Sequence, residues 1–346
     1  MKRPTVADLA FKAGVSVSTV NRLMHGRSSV RQDTVDRIVE AAETIGFYGL
    51  GALHQRKQGN LPRRKLGFLL QQSHRLIYQQ WAKALISASS KYPAAIIEAV
   101  VEFEDDLSAE ATAKKLLLMG ESVDVIAVVT ADHPLVSHAI DQLRLKGVPV
   151  IAYISELSAA SRAGFVGTDN WKAGRTAAWF LTQMIRSDGK IAPLIGNHRY
   201  QCQDFSDASF RSYIREYGQG YQILETLLTH EEPKEAYRVV SALLEKEPDL
   251  QGIFVNGGGI SGVLQAIREL PLERRSCIKI VCRDVGQEAR KGLAEGLISA
   301  GLYHPEDIMS NELIRVMLEA YANQGRLSML QKIVPFAIMT PESLWT

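Results

Sequence analysis

From Lys65 onward the chain repeats one pattern, a short run of apolar residues with little alternation followed by a longer amphipathic stretch. Leu66 to Leu70, Ala95 to Val101, Val123 to Val129, Val148 to Ile154, Ile191 to Ile195, Tyr221 to Leu224, Gly252 to Val255, Ile278 to Val281 and Ile298 to Leu302 read as strands. A strand that is apolar at nearly every position leaves no face for water, so its sheet must be covered on both sides. Helices between successive strands supply that cover and force the strands parallel. Roughly 280 residues of this alternation exceed one compact unit, and two α/β lobes are expected.

Open parallel sheets bind ligands where the strands end at their carboxyl edge. The residues that fall there are Gln71 and Gln72, Thr130 to Asp132, Asn197 to Tyr200, Asn256, Asp284 and Tyr303. They are polar and rich in hydrogen-bonding groups. Such a set suits a hydroxylated solute, because sugar hydroxyls need carboxylates and amides as partners and an aromatic ring as a stacking face.

The first 48 residues read differently. Thr5 is a helix N-cap, Asp8 lies in the first turn, and Val6, Leu9 and Ala10 share one face up to Ala13. Gly14 suits a left-handed stop, and Ser16 can cap a second helix through Val20 and Leu23 to about Met24. A third amphipathic stretch, Val30 to Ile45, covers the pair and stops at Gly46. Two short helices joined by a glycine turn, the second polar on its outer face, are the arrangement that sets a recognition helix in the DNA major groove. With Val20 and Leu23 inward, Val17, Ser18, Asn21 and Arg22 point outward or to the flanks. Val17 can touch a thymine methyl, Arg22 can fork onto guanine, and Ser18 and Asn21 can bond base edges or phosphates.

Charge follows the same division. Residues 1 to 65 hold 12 Lys and Arg against 5 Asp and Glu, while the rest holds 28 against 33. A basic head on a mildly acidic body points to a polyanion as partner of the head. With 46% hydrophobic and 23% charged residues, neither disorder nor a fibrous repeat is expected. No apolar run approaches the ~18 residues of a bilayer span. The polar residues after Met1-Lys2-Arg3 interrupt any signal-peptide core. Three cysteines without CxxC spacing suggest neither a disulfide framework nor a zinc site, and a cytoplasmic setting is expected.

Thr5-Val6-Ala7-Asp8-Leu9-Ala10, Ala13-Gly14-Val15-Ser16, Thr19-Val20 and Asn21-Arg22 resemble the opening of the LacI family of bacterial transcription regulators, where a Val-Ser-Xaa-Xaa-Thr-Val-Ser-Arg run is typical. Asn21 replaces the usual Ser. The resemblance implies a DNA-contacting set of Thr5, Ser16, Val17, Ser18, Thr19, Asn21 and Arg22. The hinge departs from the family. Gly49 stands at a Pro position, Leu50 at an Asn, and Arg56 at the leucine that wedges into the minor groove, which leaves Leu53 as the nearest substitute wedge. Glycines at 49 and 51 cost ~1 kcal/mol each in a helix relative to Ala, which predicts a flexible segment, with Arg56 and Lys57 contacting phosphates.

The body resembles the ligand-binding part of the same family, which shares its fold with periplasmic sugar-binding proteins. Phe165 to Asn170 followed by Ala173-Gly174 looks like the family's Val-Xaa-Xaa-Asp-Asn-Xaa-Xaa-Gly signature, which implies Asp169 as a pocket residue. Asn256 followed by Gly257, Gly258 and Gly259 is similar to a sugar-binding subgroup, and Asp284 occupies the acidic position after the next strand. Where the family has a ligand-binding Arg this chain has Ser206, with Arg199 or Arg211 as candidate substitutes. The glycine run lacks the features of a nucleotide-binding loop.

No catalytic motif or metal-ligand spacing stands out, so no catalytic residue, metal or cofactor is expected. The resulting expectation is an α/β protein with an N-terminal all-α helix-turn-helix head (1–48), a hinge or linker (49–64) and a two-lobed periplasmic-binding-protein-like body with parallel sheets (65–346). Its function is expected to be transcription regulation as a repressor, its partners double-stranded operator DNA, a carbohydrate effector and a second copy of itself in a dimer or tetramer, with no membrane. The expected ligand set is Gln71, Asp132, Asp169, Asn197, Arg199, Asn256, Asp284 and Tyr303. The alternative is a cytoplasmic solute-binding protein, or a regulator answering a protein partner.

Overall fold

The computed structural model describes residues 3–25, 30–59, 61–186, 188–283, 285–323 and 329–344, with side chains for all but 55–59. The chain divides into a unit of residues 1–64 with 89–98 and a unit of residues 65–88 with 99–346.

The first unit contains α1 (Val6–Ala13), α2 (Val17–His25), α3 (Gln32–Ile45) and α4 (Leu50–Gly59). Thr5 opens α1 with a reciprocal cap: its Oγ1 accepts from the Asp8 N–H, and the Asp8 carboxylate accepts from the Thr5 N–H at 2.8 Å. Gly14 closes the helix at φ 63°, a left-handed conformation that costs glycine little. Leu9, Val20, Leu23, Val35, Ile38 and Leu53 are buried together as the core of this small unit.

Residues 50–59 are helical where the two glycines predict a flexible segment. Leu53, expected as an exposed wedge, is instead fully buried in the head core, with Leu50 packed against the same cluster. Burying one leucine stabilises by ~1.5–3 kcal/mol, enough to offset the propensity cost of the glycines. His54 lies 3.3 Å from Glu43 on α3 and adds a contact at the surface.

The chain continues through β1 (Arg63–Gln71), α5 (Leu76–Ser90), β2 (Ile96–Glu104), α6 (Ala109–Met119), β3 (Val125–Val128), α7 (Pro134–Leu145), β4 (Val150–Tyr153), β5 (Gly164–Thr168), α8 (Asn170–Met184) and β6 (Lys190–Ile195). Next come α9 (Gln201–Tyr217), β7 (Gln222–Ile223), β8 (Leu227–Leu228), α10 (Pro233–Lys246), β9 (Leu250–Val255), α11 (Ile260–Arg268), α12 (Leu272–Cys277) and β10 (Lys279–Cys282). The last elements are α13 (Gln287–Ala294), β11 (Ala300–Tyr303), α14 (Glu306–Ala322), β12 (Leu330–Val334) and β13 (Ala337–Met339).

Two sheets result. One has the order β12-β5-β4-β3-β1-β2; the other runs β13-β11-β10-β9-β6-β7, with β8 also on β6. The chain therefore passes between lobes after β5, β11 and β12, and α14 packs back on β3 and β5. The second sheet is not wholly parallel, since β13 pairs antiparallel with β11. The sequence pattern missed β5, β8, β12 and β13: β8 has two residues, and β5 carries two glycines that dilute its apolar signal. Leu69, Leu116, Ile126, Ile140 and Leu143 anchor the first lobe's core. In the second lobe Phe210 stacks on Phe254 with ring centroids 4.9 Å apart.

Helices α8 and α9 meet without a gap at Gly174, where a Cβ would run into the carbonyl oxygen of Ser206 and the hydroxyl of Ser209. Gly174→Ala should lower the melting temperature of the full chain. Helix propensity alone favours Ala by ~1 kcal/mol, whereas the overlap forces a repacking that costs ~1–3 kcal/mol or more. Calorimetry showing a higher transition for the variant would contradict this packing.

Candidate functional site

The head presents one polar helical face. Val17, Ser18, Asn21 and Arg22 of α2 are exposed, Val17 at 45%, while Val20 and Leu23 hold the other side in the core. Ser16 orders the start of the helix: its hydroxyl accepts from the Thr19 N–H at 3.2 Å and lies 2.8 Å from the hydroxyls of Ser18 and Thr19. Arg22 donates to Thr19 Oγ1 at 3.3 Å, which holds the guanidinium along the exposed face. The arrangement offers a forked donor, an amide, hydroxyls and a methyl-bearing side chain on one short helix. The side chains of Arg56 and Lys57 lie outside the described residues.

In the body, the carboxyl ends of strands from both sheets enclose a cavity of about 110 Å³. An apolar cavity of ~150 Å³ takes a benzene ring, so the scale here is that of one small ring. From the first lobe come Arg75, Tyr78 and Trp81 at the start of α5, with Ile154 and Ser155 after β4. From the second come Gln203, Glu231, Asn256 and Arg283; Tyr303 and His304 lie where β11 crosses back. Trp81 packs edge-on to Tyr78, Tyr153 and His304, with centroids 5.4, 6.1 and 6.0 Å away.

Direct bonds join the two lobes around this space. Arg75 donates to Glu231 at 3.0 Å, a pair whose side chains are only 20% and 8% exposed. The Tyr200 hydroxyl donates to Gln71 Oε1 at 2.8 Å, and Gln201 donates to Asp132 at 2.8 Å. Gln203 donates to the other oxygen of Glu231 at 2.7 Å, so this buried carboxylate is doubly held. A paired, hydrogen-bonded charge survives burial where a lone one would not. Glu231 also sits at φ 64° and Ile154 at φ 68°. Left-handed backbone at a β-branched residue costs of order 1–3 kcal/mol and tends to cluster where a site must be shaped.

The pocket contains Asn256 and Tyr303 from the expected ligand set, and Gln71 stands behind Tyr78 and Tyr200, accepting from both hydroxyls. Asp169 is spent as the N-cap of α8, accepting from the Lys172 N–H at 2.9 Å, and does not line the cavity. Asn197 accepts from the Arg199 N–H at 2.9 Å, and Arg199 is exposed, donating to the Asp132 carbonyl. Asp132 binds Ser158 and Gln201 and acts as a clasp between lobes outside the cavity wall. Arg211 turns to Asp207 and Thr226. Asp284 lies outside the described residues. The sequence places His304 and Cys202 in plausible pocket loops without a ligand role, and both line the cavity; Arg75, Tyr78, Trp81, Glu231 and Arg283 were missed. The carboxyl end of β10 was the available signal for Arg283.

Burial pushes the Cys202 thiol up, although Arg283 opposes it, so the thiol stays protonated and a weak nucleophile. Burial and the nearby Arg283 cation bring His304 down to about 3. Its Nδ1 lies 3.2 Å from the Thr168 hydroxyl. Among the described residues, no three His, Cys, Asp or Glu side chains are grouped to hold a metal ion, and no helix is long and apolar enough to cross a membrane.

Residues 68–325 match the family described as periplasmic binding protein domain, and residues 5–49 match the bacterial regulatory proteins of the lacI family. Over 177 residues the chain is 24% identical to the ribose import binding protein RbsB of Bacillus subtilis, covering 49% of this chain and 54% of that protein. Over 59 residues it is 42% identical to the sucrose operon repressor of Escherichia coli, covering 17% of this chain and 18% of the repressor. The chain thus spans about half or less of the length of these curated relatives. GanP, a glucose-galactose binding protein from Geobacillus stearothermophilus, superposes with a TM-score of 0.73 at 17% identity over 82% of this chain and 99% of that one.

The neutral state of His304 gives a pH prediction. An unfolded histidine titrates near 6.5 while this one titrates near 3 in the fold, so between those values the unfolded chain binds the extra proton. The stability is fully present above about pH 6.5 and is lost as pH falls toward 3, at up to ~1.4 kcal/mol per pH unit. Urea unfolding at pH 7 and pH 5 should therefore show His304→Asn losing about 1–2 kcal/mol less than wild type on acidification. Equal losses would show that the ring is accessible to protons.

Proposed function

Since the chain belongs to the periplasmic binding protein domain family over residues 68–325 and carries a lacI-family regulatory domain over residues 5–49, we propose that it is a transcription repressor whose operator affinity is set by a small solute in the body. The observation that carries this reading is the union in one chain of a short helix exposing Val17, Ser18, Asn21 and Arg22 with a two-lobed body around a mainly apolar cavity that includes charged, amide and aromatic side chains. Two copies would act together, because one recognition helix reaches few bases while paired half-sites multiply affinity and specificity. The proposal places it in the cytoplasm, where the DNA is, and assigns it binding rather than catalysis. A carbohydrate is the effector class that the aromatic wall, with a few amide and charged groups set into it, supports.

In this reading Arg22 reads a base, Val17, Ser18 and Asn21 complete the contact, and Thr5, Ser16 and Thr19 serve phosphates at the helix starts. In the same reading residues 1–48 serve as the DNA-binding domain and 49–64 as the link to the body, with α4 of that link packed on the head through Leu53.

Fluorescence anisotropy with a duplex carrying the chain's own promoter tests this. Affinity should fall steeply between low and high salt as counterions compete for the phosphates. Arg22→Ala should weaken specific binding by ~1–3 kcal/mol and flatten the preference between the promoter and a scrambled duplex. A flat salt response, or equal loss on both duplexes for the variant, would refute the assigned reading face.

A further inference from the structure

Two cations, Arg75 and Arg283, and two carboxylates, Glu231 and Glu306, line the cavity, and they are not held alike. Arg75 is matched by Glu231. Glu306 has partners of its own and sits in the first turn of α14, where the helix dipole favours an acid. Arg283 is different: among the described residues, no carboxylate lies within ion-pairing distance of it. It donates to Asn170 Oδ1 at 2.8 Å and to Thr168 Oγ1 at 3.1 Å, both neutral. A guanidinium has five N–H donors in a fixed fork, so these two bonds orient it and leave donors over. It lines the cavity, partly buried, beside the neutral His304.

A second residue of the same wall holds an unsatisfied group. Asn256 is 2% exposed and lines the cavity; its Nδ2 donates to the Gln203 carbonyl at 2.7 Å, while its Oδ1 has no partner. A buried acceptor of this kind calls for a donor such as a hydroxyl.

We propose that the solute is a polyhydroxylated monocarboxylate the size of one sugar ring, its carboxylate forked by Arg283 and a hydroxyl donated to Asn256. This rests on the solute-responsive reading of the body and narrows its ligand from sugars to sugar acids. One carboxylate matches the donors that Arg283 has left over, whereas a phosphate dianion would bring a second negative charge near Glu231 and Glu306. The planar fork of arginine fits a carboxylate by two parallel bonds. No covalent step is involved.

The test is calorimetric titration and thermal shift of the full chain with D-glucuronate, D-galacturonate, D-gluconate and D-ribonate. Glucose, galactose and ribose serve as neutral counterparts, and glucose 6-phosphate and ribose 5-phosphate as the phosphate arm. At least one acid should bind about 10- to 100-fold more tightly than its neutral counterpart, the range expected for a hydrogen bond to a charged group. Arg283→Met should remove that preference. It should also melt close to wild type when no solute is added, because the two hydrogen bonds it gives up are offset by removal of a part-buried charge with no carboxylate in ion-pairing distance among the described residues. Arg283→Lys should keep part of the preference. A neutral sugar or a phosphate ester that binds more tightly than every acid overturns the proposal, as does an Arg283→Met protein that keeps the acid preference or melts well below wild type. A neutral sugar that binds and shifts operator affinity would leave the solute-responsive reading standing while defeating the acid class. If no solute of the panel binds while operator binding is intact, both fall, in favour of a protein signal.

Discussion

A parallel strand buried on both faces can carry polar chemistry only where it ends, and that constraint arranges everything else in this body. Two such sheets, each wrapped by helices, bring their carboxyl ends to one cleft. Every charged group there then leaves bulk water. Each needs a partner within the protein or a ligand, since an isolated buried charge is among the most expensive features a fold can hold. The Arg75–Glu231 pair, doubly bonded through Gln203, is one solution, and it joins the lobes as a by-product. Left-handed backbone at Ile154 and Glu231 is part of the same solution, because the strand ends must bend sharply to aim side chains inward.

The architecture was largely legible because near-continuous apolar runs have few other meanings. What escaped were the elements that tertiary pairing makes: β8, with two residues, exists only because β6 offers it an edge, and β12 reaches β5 from more than 160 positions along the chain. In the site the rule of strand ends located the cleft but not the orientation of each side chain. Neighbouring residues at a strand end point to opposite sides, so Arg283 was passed over for its neighbour in sequence. Asp169 shows a different ambiguity. An Asp between a strand and a helix is equally a ligand carboxylate and an N-cap, and in the fold the Lys172 N–H donates to it.

The hinge makes the converse point about local propensity. Gly49 and Gly51 argue against a helix, and an isolated peptide of ten residues would be marginal in any case. Leu53 reverses the balance by dropping into the core formed by α1, α2 and α3. Helical order here is thus bought by tertiary burial, and the residue that pattern matching offered as a contact for DNA is the one that fixes the helix to the head. An exposed wedge and a core residue are both leucines in sequence; what separates them is the angular position at which the helix begins.

A solute can shift this molecule between forms only by binding one of them better than another. Direct contacts already tie the lobes together: Arg75 to Glu231, Tyr200 to Gln71, and Gln201 to Asp132. A ligand that merely duplicated these would replace protein bonds with ligand bonds and gain little. The leverage lies with groups whose bonding capacity the protein leaves over, among them the Asn256 oxygen and the remaining donors of Arg283. Arg283 belongs to the second lobe and is steadied by Thr168 at the end of a first-lobe strand, so an anion on it engages both lobes at once. Couplings between sites typically amount to ~1–3 kcal/mol, or ~5- to 150-fold in affinity. One charge-assisted hydrogen bond contributes ~1.5–3 kcal/mol, so a single carboxylate on Arg283 is sufficient to supply a response of that size.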